Sequence, residues 1–167
     1  MAHNESKSSI PQPINFSAVL ICKDGAQYLP ALFKILSACD EVVYADTGST
    51  DESIAIAKTF SNVKIIRLAF EGFGRTKANA VKAAANDWIL SLDADEQPDH
   101  LLLGSIQQLI QLAPETTLGR VTRINLFAGK PLRFSRWGRD HLIRVFNKKY
   151  TNFTDDSVHE KIKGKNN

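Results

Sequence analysis

Trp88-Ile89-Leu90-Ser91-Leu92-Asp93-Ala94-Asp95-Glu96 is an almost wholly apolar run that stops abruptly in three carboxylates. An apolar run this short is the pattern of a strand covered on both faces. Delivered at the carboxyl end of such a strand, Asp93 and Asp95 stand near one point, where a hard divalent cation can bridge them to a phosphate. Alone, an acidic triplet is more often a solvated strand-to-loop junction, so its meaning depends on the elements around it.

Upstream, Phe16 to Cys22 is a second apolar, partly β-branched run, ending at the turn Lys23-Asp24-Gly25. Leu29, Leu32, Phe33 and Leu36 then recur at helical spacing, with Pro30 tolerable in the first turn of a helix over 28–38. Glu41 to Ala45 reads as a strand with Asp46 to Asp51 as its exit loop. Ser49 and Glu52 have the spacing of a capping box before a helix reaching about Phe60. Val63 to Arg67 is a further strand, Phe70 to Arg75 a glycine-containing loop, and Thr76 to Ala85 an alanine-rich helix. Strands alternating with helices of this length call for an α/β fold, a mostly parallel sheet with helices on both faces. Ligands bind such sheets at the carboxyl ends of the strands, where strand order reverses. Asp24, Asp46, Ser49, Asp51, Lys77, Asp93 and Asp95 all follow strand ends or open the next helix, so one crevice would collect them.

After Pro98, residues 99–111 read as an amphipathic helix. Leu118 to Phe127 alternates like a half-buried antiparallel strand, Ala128 to Lys130 is a turn, and Asp140 to Phe146 is another strand. Antiparallel additions are therefore expected in the last third.

The 167 residues, 43% hydrophobic and 23% charged, suffice for one core of domain size, expected over 16–167 behind a polar, loose leader at 1–15. No apolar run approaches the roughly 20 residues that span a bilayer. Cys22 and Cys39 lie among apolar neighbours, which fits buried free thiols in a reducing cytoplasm better than a disulfide. Residues 1–117 carry 9 Lys+Arg against 14 Asp+Glu, and 118–167 carry 12 against 4. The basic tail suits an anionic partner, and equally a solvated surface. Nucleic acid is disfavoured, because neither an aromatic-rich binding strand nor a recognition helix accompanies the charge.

Five stretches together, Ser17 to Asp24, Val42 to Asp51, Glu71 to Gly74, Leu90 to Glu96 and Val158-His159-Glu160, closely resemble the family 2 glycosyltransferases. The branch that adds a sugar to an inner-core heptose of lipopolysaccharide is the most similar. The likeness covers about residues 16 to 162. It implies a GT-A fold, a nucleotide-diphospho-sugar donor with a UDP-sugar foremost, an inverting transfer and Mg2+ or Mn2+. It also implies a saccharide or lipid-linked acceptor, and a cytoplasmic protein with peripheral contact at the inner membrane face. Relatives usually continue well past residue 167, so further carboxyl-terminal elements are expected.

Carried over position by position, the backbone at Ile21 to Lys23 and the carboxylate of Asp46 would hold the base. Asp51 ends that loop motif and is equally a helix N-terminal residue. Lys77 would face the nucleotide. Relatives commonly have asparagine directly after it, whereas this chain has Ala78 and then Asn79. Asp93 would lie near the ribose or metal, Asp95 would bind the metal, and His159 would be a late metal or diphosphate contact. The general base would be Asp140, with Glu160 next and then Asp155 and Asp156; Asp140 could instead only pair with Arg144. Trp137 would floor an acceptor sugar, and Arg133, Arg136, Arg139 and Arg144 would grip its phosphates. A nucleotidyltransferase would show a glycine-rich basic loop after the first strand, which Cys22 to Gly25 is not. A truncated nucleotide-sugar-binding domain without turnover is the other alternative.

Overall fold

The computed structural model describes residues 14–128, 130–131, 139–154 and 162. Most of the expected leader, together with Arg133, Arg136, Trp137, Asp155, Asp156, His159 and Glu160, lies outside the described residues.

Four strands, β1 (Ile14–Cys22), β2 (Cys39–Asp46), β3 (Val63–Arg67) and β4 (Trp88–Asp93), pair in parallel in the order β3-β2-β1-β4. The helices between them are α1 (Leu29–Leu36), α2 (Ser53–Ala57) and α3 (Phe73–Lys82). After α4 (His100–Leu112) come β5 (Gly119–Ile124) and a small hairpin, β6 (Leu126–Phe127) with β7 (Lys130–Pro131). The last of the described strands, β8 (Arg139–Asn147), runs antiparallel between β4 and β5 in a six-stranded sheet. The expected mostly parallel sheet with a late antiparallel addition is thus observed.

Alternate residues of the inner strands feed two apolar layers, as the two-residue period of a strand requires. Phe16, Ala18 and Leu20 of β1 pack with Leu29, Leu32, Phe33 and Leu36 of α1 and with Leu103 and Ile106 of α4. Val19, Val43 and Ile89 face the other way, onto Ala78 and Val81 of α3. Phe33 meets Tyr44 edge-on with ring centroids 5.9 Å apart, a pair worth about 1 kcal/mol beyond its buried area.

Local boundaries depart from the sequence reading where tertiary bonds claim a residue. Ser49 does not cap α2; its Oγ accepts the Asp24 N–H at 2.9 Å, and α2 begins at Ser53 after Glu52 without a side-chain cap. The helix stops at Ala57, short of Phe60, whose ring lies 5.4 Å from that of Phe33. α3 opens at Phe73, inside the expected loop, because Gly72 takes φ 91° and turns the chain into the helix there. Asp99 caps α4 as an acceptor from the Leu102 N–H at 2.7 Å. Among the described residues no helix is long and apolar enough to cross a membrane.

Gly119 sits where β5 crosses β8, and a Cβ there would lie 2.7 Å from Cβ of Val145 and 3.1 Å from Leu109. Gly119→Ala is expected to lower unfolding stability by about 1–3 kcal/mol through overpacking. Gly104→Ala, with nothing within 4 Å on α4, is expected to be neutral or stabilising by roughly 0.5–1 kcal/mol. Urea midpoints at unchanged slope check both.

Candidate functional site

Sheet register gathers the polar loops on one rim. Cys22 stands opposite Asp46 across β1 and β2, and Ile21 opposite Asp93 across β1 and β4. Since β1 leads to β2 on one side and neighbours β4 on the other, strand order reverses between β1 and β4. An open cleft of about 220 Å3 lies there, lined by Ile21, Cys22, Lys23, Asp24, Tyr28 and Asp95 among others.

Side chains lace the loops after β1 and β2 together. Asp24, at φ 54°, accepts the Thr50 N–H at 2.7 Å and the Asp51 N–H at 3.3 Å. The Gly25 N–H donates to Ser53 Oγ at 2.8 Å, and the Ala26 N–H to Asp51 Oδ2 at 2.9 Å. The Asp51 carboxylate, expected at the nucleotide, thus accepts from Ala26 and from the Ser53 N–H at 3.0 Å; bonds from Ser53 and Ala26 hold its carboxyl below the usual range.

Asp46 is 3% exposed and accepts from the Tyr44 hydroxyl at 3.2 Å, the Gly48 N–H at 3.2 Å and the Ser49 N–H at 3.1 Å. Burial would raise its carboxyl, but the bonds from Ser49, Gly48 and Tyr44 outweigh it and hold the group below the usual range. A second hollow of about 340 Å3 opens beside it, bounded by Thr47, Ile54, Arg67 and Leu68 among others. The Cys22 thiol, facing the cleft, is pushed up to about 11 by burial and then by Asp51, Asp46, Asp24 and Asp95, so it stays protonated. Cys39 is likewise free and buried, pushed up to about 12.

At the end of β4 the acidic triplet is part of an ion network. Lys77, 3% exposed, places Nζ 2.7 Å from Asp93 Oδ1, and Arg144, 8% exposed, places Nη2 2.8 Å from Asp93 Oδ2. The same Nη2 meets Glu96 Oε1. Arg123 donates through Nη1 to Glu96 Oε1 at 3.2 Å and through Nη2 to Asp140 Oδ2 at 3.0 Å. Burial would raise the Asp93 carboxyl, yet Arg144 and Lys77 together hold it below the usual range. Asp93, expected at the ribose or metal, is therefore ion-paired through both oxygens. Asp140 pairs with Arg123, opposite it in the β5–β8 register, and not with Arg144. Residues four apart on a strand stand roughly 13 Å from one another, too far to pair as they would on a helix.

Asp95 is exposed and enters none of these pairs. Among the described residues no group of three or more His, Cys, Asp or Glu converges into a cation cage. One outward carboxylate at a cleft mouth nevertheless fits Mg2+-type binding, in which one or two carboxylates act with substrate phosphates and water. Sequence reasoning missed the bracing by Asp24 and Arg123, and cast Arg144 as a phosphate grip or a partner of Asp140, not of Asp93 and Glu96. The signal for Arg144 was legible: a charge inside the apolar run Leu142 to Phe146 needs a buried partner.

The Asp46 bonds predict a pH dependence. A carboxyl depressed in the folded state contributes stability that is fully present above the ordinary value of about 3.9 and is lost as pH falls through its lower folded value. Melting temperatures measured from pH 6 down to pH 3 should fall less steeply for Asp46→Asn than for the unaltered protein, from a lower starting point.

The profile of "Glycosyl transferase family 2" matches residues 17–164. A TPR repeat-containing protein of Synechococcus elongatus is 35% identical over 148 residues, 85% of this chain and 36% of its own length. The lipopolysaccharide core biosynthesis glycosyltransferase LpsC of Rhizobium meliloti is 28% identical over 111 residues, 64% of this chain and 41% of its own. The chain thus spans well under half of either relative. Among solved structures, S. aureus TarS 1-349 in complex with UDP superposes with a TM-score of 0.53 at 25% identity, over 58% of this chain and 32% of that one. The parallel strands that end in Asp46 and Asp93, with the late antiparallel β8 beside them, form the sheet of a GT-A glycosyltransferase, and the chain belongs to glycosyl transferase family 2.

Proposed function

We propose that this chain is the donor-binding and catalytic part of a metal-dependent, inverting glycosyltransferase that takes a sugar from a UDP-sugar. The observation that carries this reading is Asp95, an exposed carboxylate at the carboxyl end of β4, on the cleft where strand order reverses. The base and ribose would lie along Ile21 to Lys23 and Asp46, and the likeness to TarS, a protein solved with UDP bound, supports uridine as the nucleoside.

Asp95 would hold Mg2+ or Mn2+ together with the diphosphate, and the bound ion would neutralise the charge that develops on the leaving group. Lys77 and Arg144 keep Asp93 ionised and supply cations beside the diphosphate. Asp140, whose side chain is 44% exposed, would take the proton of the acceptor hydroxyl as its oxygen bonds to the anomeric carbon and the bond to the diphosphate breaks. Attack opposite the leaving group inverts that carbon. The name of the Rhizobium relative supports a saccharide acceptor of the lipopolysaccharide core type; that it is met in the cytoplasm at the inner membrane face is what the family resemblance implies. His159 keeps the role that the family resemblance implies, a late contact to the metal or the diphosphate, and Glu160 remains the second candidate base.

Calorimetry with UDP checks the metal assignment. With Mn2+ present, the unaltered protein is expected to bind UDP at least tenfold tighter than Asp95→Ala, a difference of about 1.4 kcal/mol or more, and the gap should close in EDTA. Equal affinities with Mn2+ present would remove Asp95 from the site.

A further inference from the structure

Glu96 touches both halves of the site. Its Oε2 accepts the Asp93 N–H at 3.1 Å, while its own N–H donates to the Asp93 carbonyl at 3.0 Å. These two bonds close residues 93–96 into a turn with Ala94 and Asp95 at its tip. The other carboxylate oxygen, Oε1, is shared by two guanidinium groups. One is Arg144, which also holds Asp93; the other is Arg123, which also holds Asp140. Charges therefore alternate along Asp93 at the end of β4, Arg144 on β8, Glu96 in the turn after β4, Arg123 on β5 and Asp140 on β8.

The Glu96 side chain is 15% exposed and that of Arg144 10%, so solvent screens the middle of this chain poorly. Removing one charge there leaves its neighbours uncompensated, and the effect spreads along the network. Arg123 is the sensitive link. Its Nε is buried with no hydrogen-bond partner among the described residues, so the Nη bonds to Glu96 and Asp140 orient the guanidinium.

We infer that Glu96 is a positioning residue that fixes the turn presenting Asp95 and, through Arg123, sets the place of Asp140, so that the metal carboxylate and the base form one unit. This rests on the roles proposed above for Asp95 and Asp140. The competing account is that Glu96 only neutralises two arginines and contributes stability.

The experiment compares Glu96→Gln, Arg123→Met, the double variant and Asp95→Ala with the unaltered protein. Three quantities are read: UDP affinity with Mn2+ by calorimetry, melting temperature, and the single-turnover hydrolysis rate of whichever UDP-sugar in a panel the unaltered protein hydrolyses fastest. Glutamine keeps the shape and an acceptor oxygen but not the charge. Glu96→Gln is expected to weaken Mn2+-dependent UDP binding at least tenfold and to slow hydrolysis at least tenfold. Arg123→Met is expected to slow hydrolysis at least tenfold while weakening UDP binding less than Glu96→Gln does, because Glu96 keeps its bonds to Arg144 and to the Asp93 N–H. The double variant should hydrolyse no more slowly than Glu96→Gln by itself. UDP affinity within twofold of unaltered for Glu96→Gln overturns the inference, as do losses in both variants that merely follow the folded fraction. If Asp95→Ala loses binding and Glu96→Gln does not, the inference fails alone. If the unaltered protein shows no Mn2+-dependent UDP binding, the proposed function fails and takes the inference with it.

Discussion

A guanidinium group between two carboxylates holds this rim together. Arg144 is nine-tenths buried, and burial alone would lower its basicity; Asp93 and then Glu96 raise it above the ordinary arginine value. Breaking such a buried pair from one side typically costs about 3–5 kcal/mol, because the remaining charge stays desolvated. The burial is tolerable only because every member has a second partner: Lys77 for Asp93, Arg123 for Glu96, Asp140 for Arg123. Stability and site geometry are thus one constraint on the strand ends β4 and β8.

Much of the sheet was legible, for a simple reason. Phe16 to Cys22 and Trp88 to Leu92 are short and apolar without alternation, as strands covered on both faces are, and they alternate with helical stretches, so the parallel core and the rim with Asp46, Asp93 and Asp95 followed. The helix boundaries were less legible, because Ser49 and Ser53 accept tertiary bonds and Gly72 takes a positive φ, none of which local spacing reveals. Pairings across β5 and β8 were least legible of all. Asp140 and Arg144 look like partners when written side by side, and only the strand register sends one to Arg123 and the other to Asp93 and Glu96.

The motif after β2 also changes meaning once its bonds are known. Asp46-Thr47-Gly48-Ser49-Thr50-Asp51 reads as a ligand loop, yet its last carboxylate ties Ala26 to Ser53 and its hydroxyls and N–H groups answer Asp24. Rigidity of the cleft wall is therefore written into the same six residues that are proposed to meet the base. A loop so fully bonded to its neighbour needs little reordering when a ligand arrives, which spares affinity.

The place of β8 in the sheet has a consequence in time. Residues 14–93 contain every strand of the parallel core, but Arg144 follows Asp93 by 51 positions, and β4 keeps a bare hydrogen-bonding edge until β8 docks on it. Closing that longer loop comes at greater entropic cost than the local β-α-β connections. The rim at the ends of β1 to β4 can therefore assemble while Asp93 and Glu96 still lack Arg144. In any such state the β4 edge is open to other chains, and the docking of β8 closes the charge balance and the edge together.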